Sequence, residues 1–88
     1  MMIDKEMNMT TFDFGNDPVP AHKHPNGGGW VADTATVADT AYVGPDALVF
    51  DNARVSGKAR VYGNAKVFDY AKVDGASWVY GYARVCSE

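Results

Sequence analysis

The chain has 88 residues, 47% of them hydrophobic, and a formal net charge of −3 at pH 7. This length allows one small domain, and the acidic balance excludes a general, charge-driven affinity for nucleic acid. A single cysteine, Cys86, excludes a disulfide framework and points to a reducing compartment.

Residues 1–28 do not repeat. Their opening, MMIDKEMNMTTFDF, lacks the basic-then-apolar layout of a secretory leader. No apolar run approaches the ~20 residues that span a bilayer, so no membrane contact and a cytoplasmic location are expected. Phe12 and Phe14 alternate with Asp13, which predicts a short strand. Its rings are expected to cap the first coil of the repeats that begin at Gly29, because the end of a stacked structure exposes apolar surface and unpaired strand edges. A binding role is the other reading. Asp17 to Gly29 (DPVPAHKHPNGGG) is rich in Pro and Gly and reads as an extended linker or loop with no helix.

From Gly29 onward the chain changes character. Valine recurs every six residues, at 31, 37, 43, 49, 55, 61, 67, 73, 79 and 85. Two residues before each stands a small residue, alanine at eight positions, Gly29 and Ser77 at the others. Two residues after each stands Asp, Gly, Pro or Ser. Residues two apart on a strand share a side, so the small residue and the valine point inward together and the residue between them points out. Asp and Gly tolerate left-handed backbone angles and turn the chain. One such strand cannot bury its valine alone, but strands stacked in coils roughly 4.8 Å apart can.

This small-x-Val-x-[Asp/Gly]-x unit resembles the hexapeptide-repeat, left-handed parallel β-helix family. The resemblance covers Gly29 to Glu88 and implies an all-β, triangular solenoid of about three coils, eighteen residues per coil, with residues 1–28 as an irregular N-terminal cap. Left-handedness comes from the resemblance alone, since parallel crossovers are otherwise nearly always right-handed. The repeats run to Cys86 with Ser87 and Glu88 after them, so the last coil is expected to fray or to be covered by another chain.

With eighteen residues per coil, outward residues sort onto three faces. Face one carries Trp30, Leu48, Lys66 and Arg84, with Ala32, Phe50, Phe68 and Cys86 near its corner. Face two carries Thr36, Arg54 and Lys72, with Ala38, Ser56 and Asp74. Face three carries Tyr42, Arg60 and Trp78, with Gly44, Tyr62 and Tyr80. Aromatic residues therefore concentrate on faces one and three, and these residue types are enriched at interfaces. They form either a self-stacking ladder within the chain or an intermolecular surface. Trimers are usual in the family, so a homotrimer, alone or doubled, is expected, with Trp30, Leu48, Phe50 and Phe68 at the subunit interface. Tyr42, Arg60, Tyr62, Lys66, Trp78 and Tyr80 would then line a groove for a host protein or a small anion. Arg54, Arg60, Lys66 and Lys72 fall on consecutive outward positions and read either as an anion site or as solvated charge balanced by Asp51, Asp69 and Asp74.

The resemblance also implies a comparison with acyltransferases, which bind acyl-coenzyme A between coils and use a histidine as general base. No histidine lies in the repeats, and no inserted loop interrupts them. His22 and His24 in the lead-in are the candidates, and on a strand both imidazoles would point the same way. A loop histidine pair is more often exposed or hydrogen-bonded than a metal site, so no metal or cofactor is expected. Cys86 and Ser87 have no base partner in the sequence, and Gly27–Gly29 precede a strand rather than a helix, so nucleophilic catalysis and a phosphate loop have no support. The leading expectation is a non-enzymatic, homo-oligomeric binding protein. The alternatives are a minimal acyltransferase and a structural module of a phage spike or fibre. Such short, uninterrupted repeats resemble those of small phage and bacterial proteins, in which case the location would be the host cytoplasm.

Overall fold

The computed structural model describes residues 11–15 and 18–86. The opening segment, on which the expectation about a leader rests, and the Ser87–Glu88 end lie outside the described residues. Two strands precede the repeats, β1 (Thr11–Asp13) and β2 (Pro18–Lys23). The repeats supply β3 (Trp30–Ala32), β4 (Thr36–Val37), β5 (Tyr42–Val43), β6 (Leu48–Val49) and β7 (Arg54–Val55). They continue with β8 (Arg60–Val61), β9 (Lys66–Val67), β10 (Lys72–Val73), β11 (Trp78–Val79) and β12 (Arg84–Val85). Among the described residues there is no helix, and hence none long and apolar enough to cross a membrane.

The strands stack into a parallel β-solenoid of about three turns. Face one is the run β3-β6-β9-β12, face two β4-β7-β10, and face three β5-β8-β11. Trp30 pairs with Leu48, Leu48 with Lys66 and Lys66 with Arg84, so partners stand eighteen residues apart. Each inward valine meets the alanines and valines of the other faces at the axis. Val31, Val43, Val49, Val55, Val61 and Val67 are fully buried, as are Ala41, Ala47, Ala53, Ala59 and Ala65. The core is a thin column of valine and alanine, stabilised by burying small aliphatic groups in register.

The corners differ between coils. Asp51 and Asp69 adopt left-handed angles (φ 59° and 60°), as do Gly57, Gly63, Gly75 and Gly81. Asp33, Asp39 and Pro45, at the same point in the first coil, do not. Pro45 cannot, because its ring locks φ near −65°. All these corners close with a backbone bond such as Ala35 N to Ala32 O at 2.9 Å or Ala53 N to Phe50 O at 3.3 Å. In the second coil the next amide also reaches the coil below, as from Asn52 N to Asp69 O at 2.8 Å. In the first coil the Thr34 and Thr40 hydroxyls do this instead, donating to the carbonyls of Asp51 and Gly57.

The lead-in is more ordered than its composition suggests. The Pro/Gly-rich stretch, expected to be an extended linker or loop with no helix, contains β2, which pairs antiparallel with β1 on one side and β3 on the other. Prolines fit because of strand alternation. The Pro20 carbonyl accepts from Asp33 N at 2.9 Å, on the β3 side, so the missing N–H groups of Pro18 and Pro20 point away from β1. Antiparallel β2 thus covers the upper edge of face one, and buries Ala32 opposite Ala21 although alternation alone directs Ala32 outward. Beyond it the chain turns back, and the upper edge of face three is satisfied by Val43 N to Asn26 O (3.0 Å) and Gly29 N to Val43 O (2.9 Å).

Candidate functional site

Face three gathers five of the six residues expected to bind. Tyr42, Arg60 and Trp78 are successive outward residues in register, one per coil. Tyr62 and Tyr80 follow the valines of the second and third coils. Tyr62 packs edge-on to Trp78 (centroids 6.4 Å apart, planes at 71°) and stacks on Tyr80 (5.5 Å, 15°). The Arg60 guanidinium lies 6.0 Å from the Trp78 ring centroid, where the ring face attracts a cation. The column of rings ends at Gly44, since a Cβ there would meet the Tyr62 backbone at 3.2 Å.

Tyr42, Arg60, Tyr62 and Trp78 enclose a shallow depression of about 240 Å³. Its outer side is open: Trp78 is 61% and Tyr80 57% exposed. Exposed rings around a guanidinium can take a flat group on their faces and an anion on the cation. Lys66, the sixth residue, lies on face one between Leu48 and Arg84 and reaches no part of this depression within the chain.

Face one has a different character. Phe12 stacks on Trp30 (4.8 Å, 21°), Phe14 on Phe50 (4.9 Å, 15°) and Phe50 on Phe68 (5.3 Å, 8°). Lys23 lies over Trp30 and Arg84 over Phe68, at 5.6 and 5.7 Å from the ring centroids. Trp30, Leu48, Phe50 and Phe68 are each half-buried. The rings thus form the intrachain ladder that was one of the two readings, and the first segment supplies two of its members. Phe12 and Phe14 cover the side of the solenoid. The sequence carried part of this signal, since Phe12 and Phe14 stand two apart, but β1 ends at Asp13 and Phe14 is placed by its contact with Phe50.

The two histidines part company. His22 Nδ1 lies 2.7 Å from Asp33 Oδ1, with both side chains more than half exposed. His24 is 3% exposed, and its Nε2 donates to the Ala41 carbonyl at 2.9 Å, which also accepts from Asn26 Nδ2 at 3.1 Å. The expectation that both imidazoles point the same way fails because β2 ends at Lys23, so alternation does not carry through to His24. Near Asp33, Phe14, Val19, Pro20, Ala32 and Phe50 line an apolar cavity of about 210 Å³. Cys86 is free and exposed. Among the described residues no three His, Cys, Asp or Glu side chains converge as a metal site. The acidic partners suggested for the basic residues do not pair with them; among the described residues the one close contact between a carboxylate and a basic side chain is His22–Asp33.

No family model, curated protein or solved structure matches this chain.

Proposed function

We propose that the chain is a non-enzymatic, homo-oligomeric binding protein of the hexapeptide-repeat, left-handed β-helix kind, with face three as its recognition surface. The observation that carries this reading is the exposure of Trp78 and Tyr80 beside Arg60 on a rigid strand ladder. Rings held by β-pairing lose little freedom on binding, which favours a preorganised surface. In a homotrimer, face three of one chain meets the outer edges of the face-one ladder on the next, and Arg60 and Lys66 come together in the groove between them. Each ring can bury on the order of 150 Å², at roughly 25 cal/mol per Å², so a few rings per chain offset several kcal/mol of association cost. The groove suits a host protein's side chain or a nucleotide-like anion, as expected of a small phage or bacterial protein acting in a cytoplasm.

Mass measurement in solution tests this. The wild type should run as a trimer at micromolar concentration, and Trp78→Asp with Tyr80→Asp should run as a folded monomer. A wild-type monomer overturns the trimer and the groove; a double variant that remains trimeric removes face three from the interface.

A minimal acyltransferase is the second reading, favoured by the His22–Asp33 pair. A carboxylate at Nδ1 orients an imidazole as a general base, and the nearby apolar cavity could seat an acyl chain. Release of free thiol from acetyl-coenzyme A with amine or hydroxyl acceptors, lost in His22→Gln, would establish it. Absence of release from the wild type rejects it.

A further inference from the structure

On face two, Lys72 pairs directly with Arg54, and Arg54 with Thr36 on its other side. Strands in one sheet lie about 4.8 Å apart, so two cations rise side by side, an arrangement that destabilises a sheet unless something neutralises it. Elsewhere on the solenoid Lys23 has Trp30 beneath it, Arg60 has Trp78, and Arg84, the in-register partner of Lys66, has Phe68; among the described residues Lys58 and Lys66 have no ring. Among the described residues neither a ring nor a carboxylate pairs with Arg54 or Lys72. Asp74 borders the same pair in an adjoining groove without forming an ion pair with it.

The pair opens into a cleft of about 310 Å³ whose other walls are Thr34, Thr36, Asn52 and Tyr70. Two of these walls carry aliphatic hydroxyls and one an amide, and Tyr70, at the corner, is 68% exposed. An arginine fork beside a lysine matches a phosphate dianion. An exposed tyrosine offers a face on which a nucleobase stacks. A polymer backbone needs a row of cations along its path, whereas here one pair is bounded by Asp74.

We infer that the face-two cleft binds a phosphomonoester joined to a flat ring, the chemistry of a nucleoside monophosphate, with Arg54 and Lys72 on the phosphate and Tyr70 on the ring. Face two takes no part in the proposed trimer, so the site stands whether or not that assembly does.

Titration calorimetry of the full chain with adenosine 5′-monophosphate tests it, with inorganic phosphate and adenosine as separate arms. One saturable site per chain is expected, weakening as salt rises. Hydrogen bonds to charged groups are strong enough that Arg54→Gln and Lys72→Gln should each weaken binding about tenfold or more. Tyr70→Ala should weaken the nucleotide while leaving inorganic phosphate unchanged. Asp74→Asn should tighten both, and Lys23→Gln, on β2, should change neither. All these side chains are exposed, so the circular dichroism spectrum of each variant should match the wild type. No binding of the nucleotide at millimolar concentration overturns the inference. So does binding that survives both cation variants. Inorganic phosphate bound as tightly as the nucleotide overturns the role of Tyr70.

Discussion

Phe14 stacks on Phe50 with ring centroids 4.9 Å apart, although one belongs to the non-repeating segment and the other to the second coil. This contact ties the N-terminal strands to the solenoid across 36 positions of sequence (50 − 14). A stacked pair contributes about 0.5–1.5 kcal/mol beyond the area it buries. Phe14→Ala should therefore cost on the order of 2 kcal/mol, read as a lower urea midpoint at unchanged slope. Phe50→Lys with Phe68→Lys should cost more, because it breaks the ladder in its middle and sets two like charges in register. If either protein unfolds at the wild-type midpoint, the ladder does not stabilise the chain.

The valine column makes a sharper prediction. Val55 and Val61 are fully buried with only aliphatic neighbours, so a carboxylate there has no partner. Val55→Asp or Val61→Asp should abolish folding, seen as loss of the β signal in far-ultraviolet circular dichroism. A soluble variant with the wild-type spectrum would contradict the stacked core.

Equivalent corners should respond unequally. Gly57 and Gly75 have φ of +65° and +63°. A Cβ at Gly57 would lie 2.8 Å from the Gly75 carbonyl, whereas one at Gly75 meets nothing within 4 Å. Gly75→Ala should cost only the left-handed backbone term, about 1–2 kcal/mol. Gly57→Ala should cost clearly more, because backbone must move as well. Equal thermal shifts for the two would mean that the coils do not pack this tightly.

The histidines should separate in the same kind of experiment. His24→Ala empties a buried position and leaves the Ala41 carbonyl with Asn26 as its side-chain partner, a loss of about 1–3 kcal/mol. His22→Ala removes an exposed contact and should stay within about 0.5 kcal/mol of wild type. Neither should alter binding by the folded protein if the chain is not an enzyme. A larger loss for His22 than for His24 would reverse the assignment of structural and surface roles.

The six-residue valine period determined what lies inside the repeat region. The resemblance to coils of three hexapeptides implied which outward residues share a face, and Tyr42, Arg60 and Trp78 do fall in register. Tertiary structure alone decided the remainder. Residues 11–15 and 18–28 carry no period, so their positions depend on contacts distant in sequence. The β3 edge turns a proline-rich stretch into β2, Phe50 and Trp30 draw Phe14 and Phe12 onto face one, and the Ala41 carbonyl holds His24 inside while His22 stays out. The pairing of Arg54 with Lys72 was implicit in the eighteen-residue repeat, but the lack of a compensating partner was not. Asp51, Asp69 and Asp74 are close in sequence to these cations, and only the direction of each corner decides whether a carboxylate reaches a neighbouring cation.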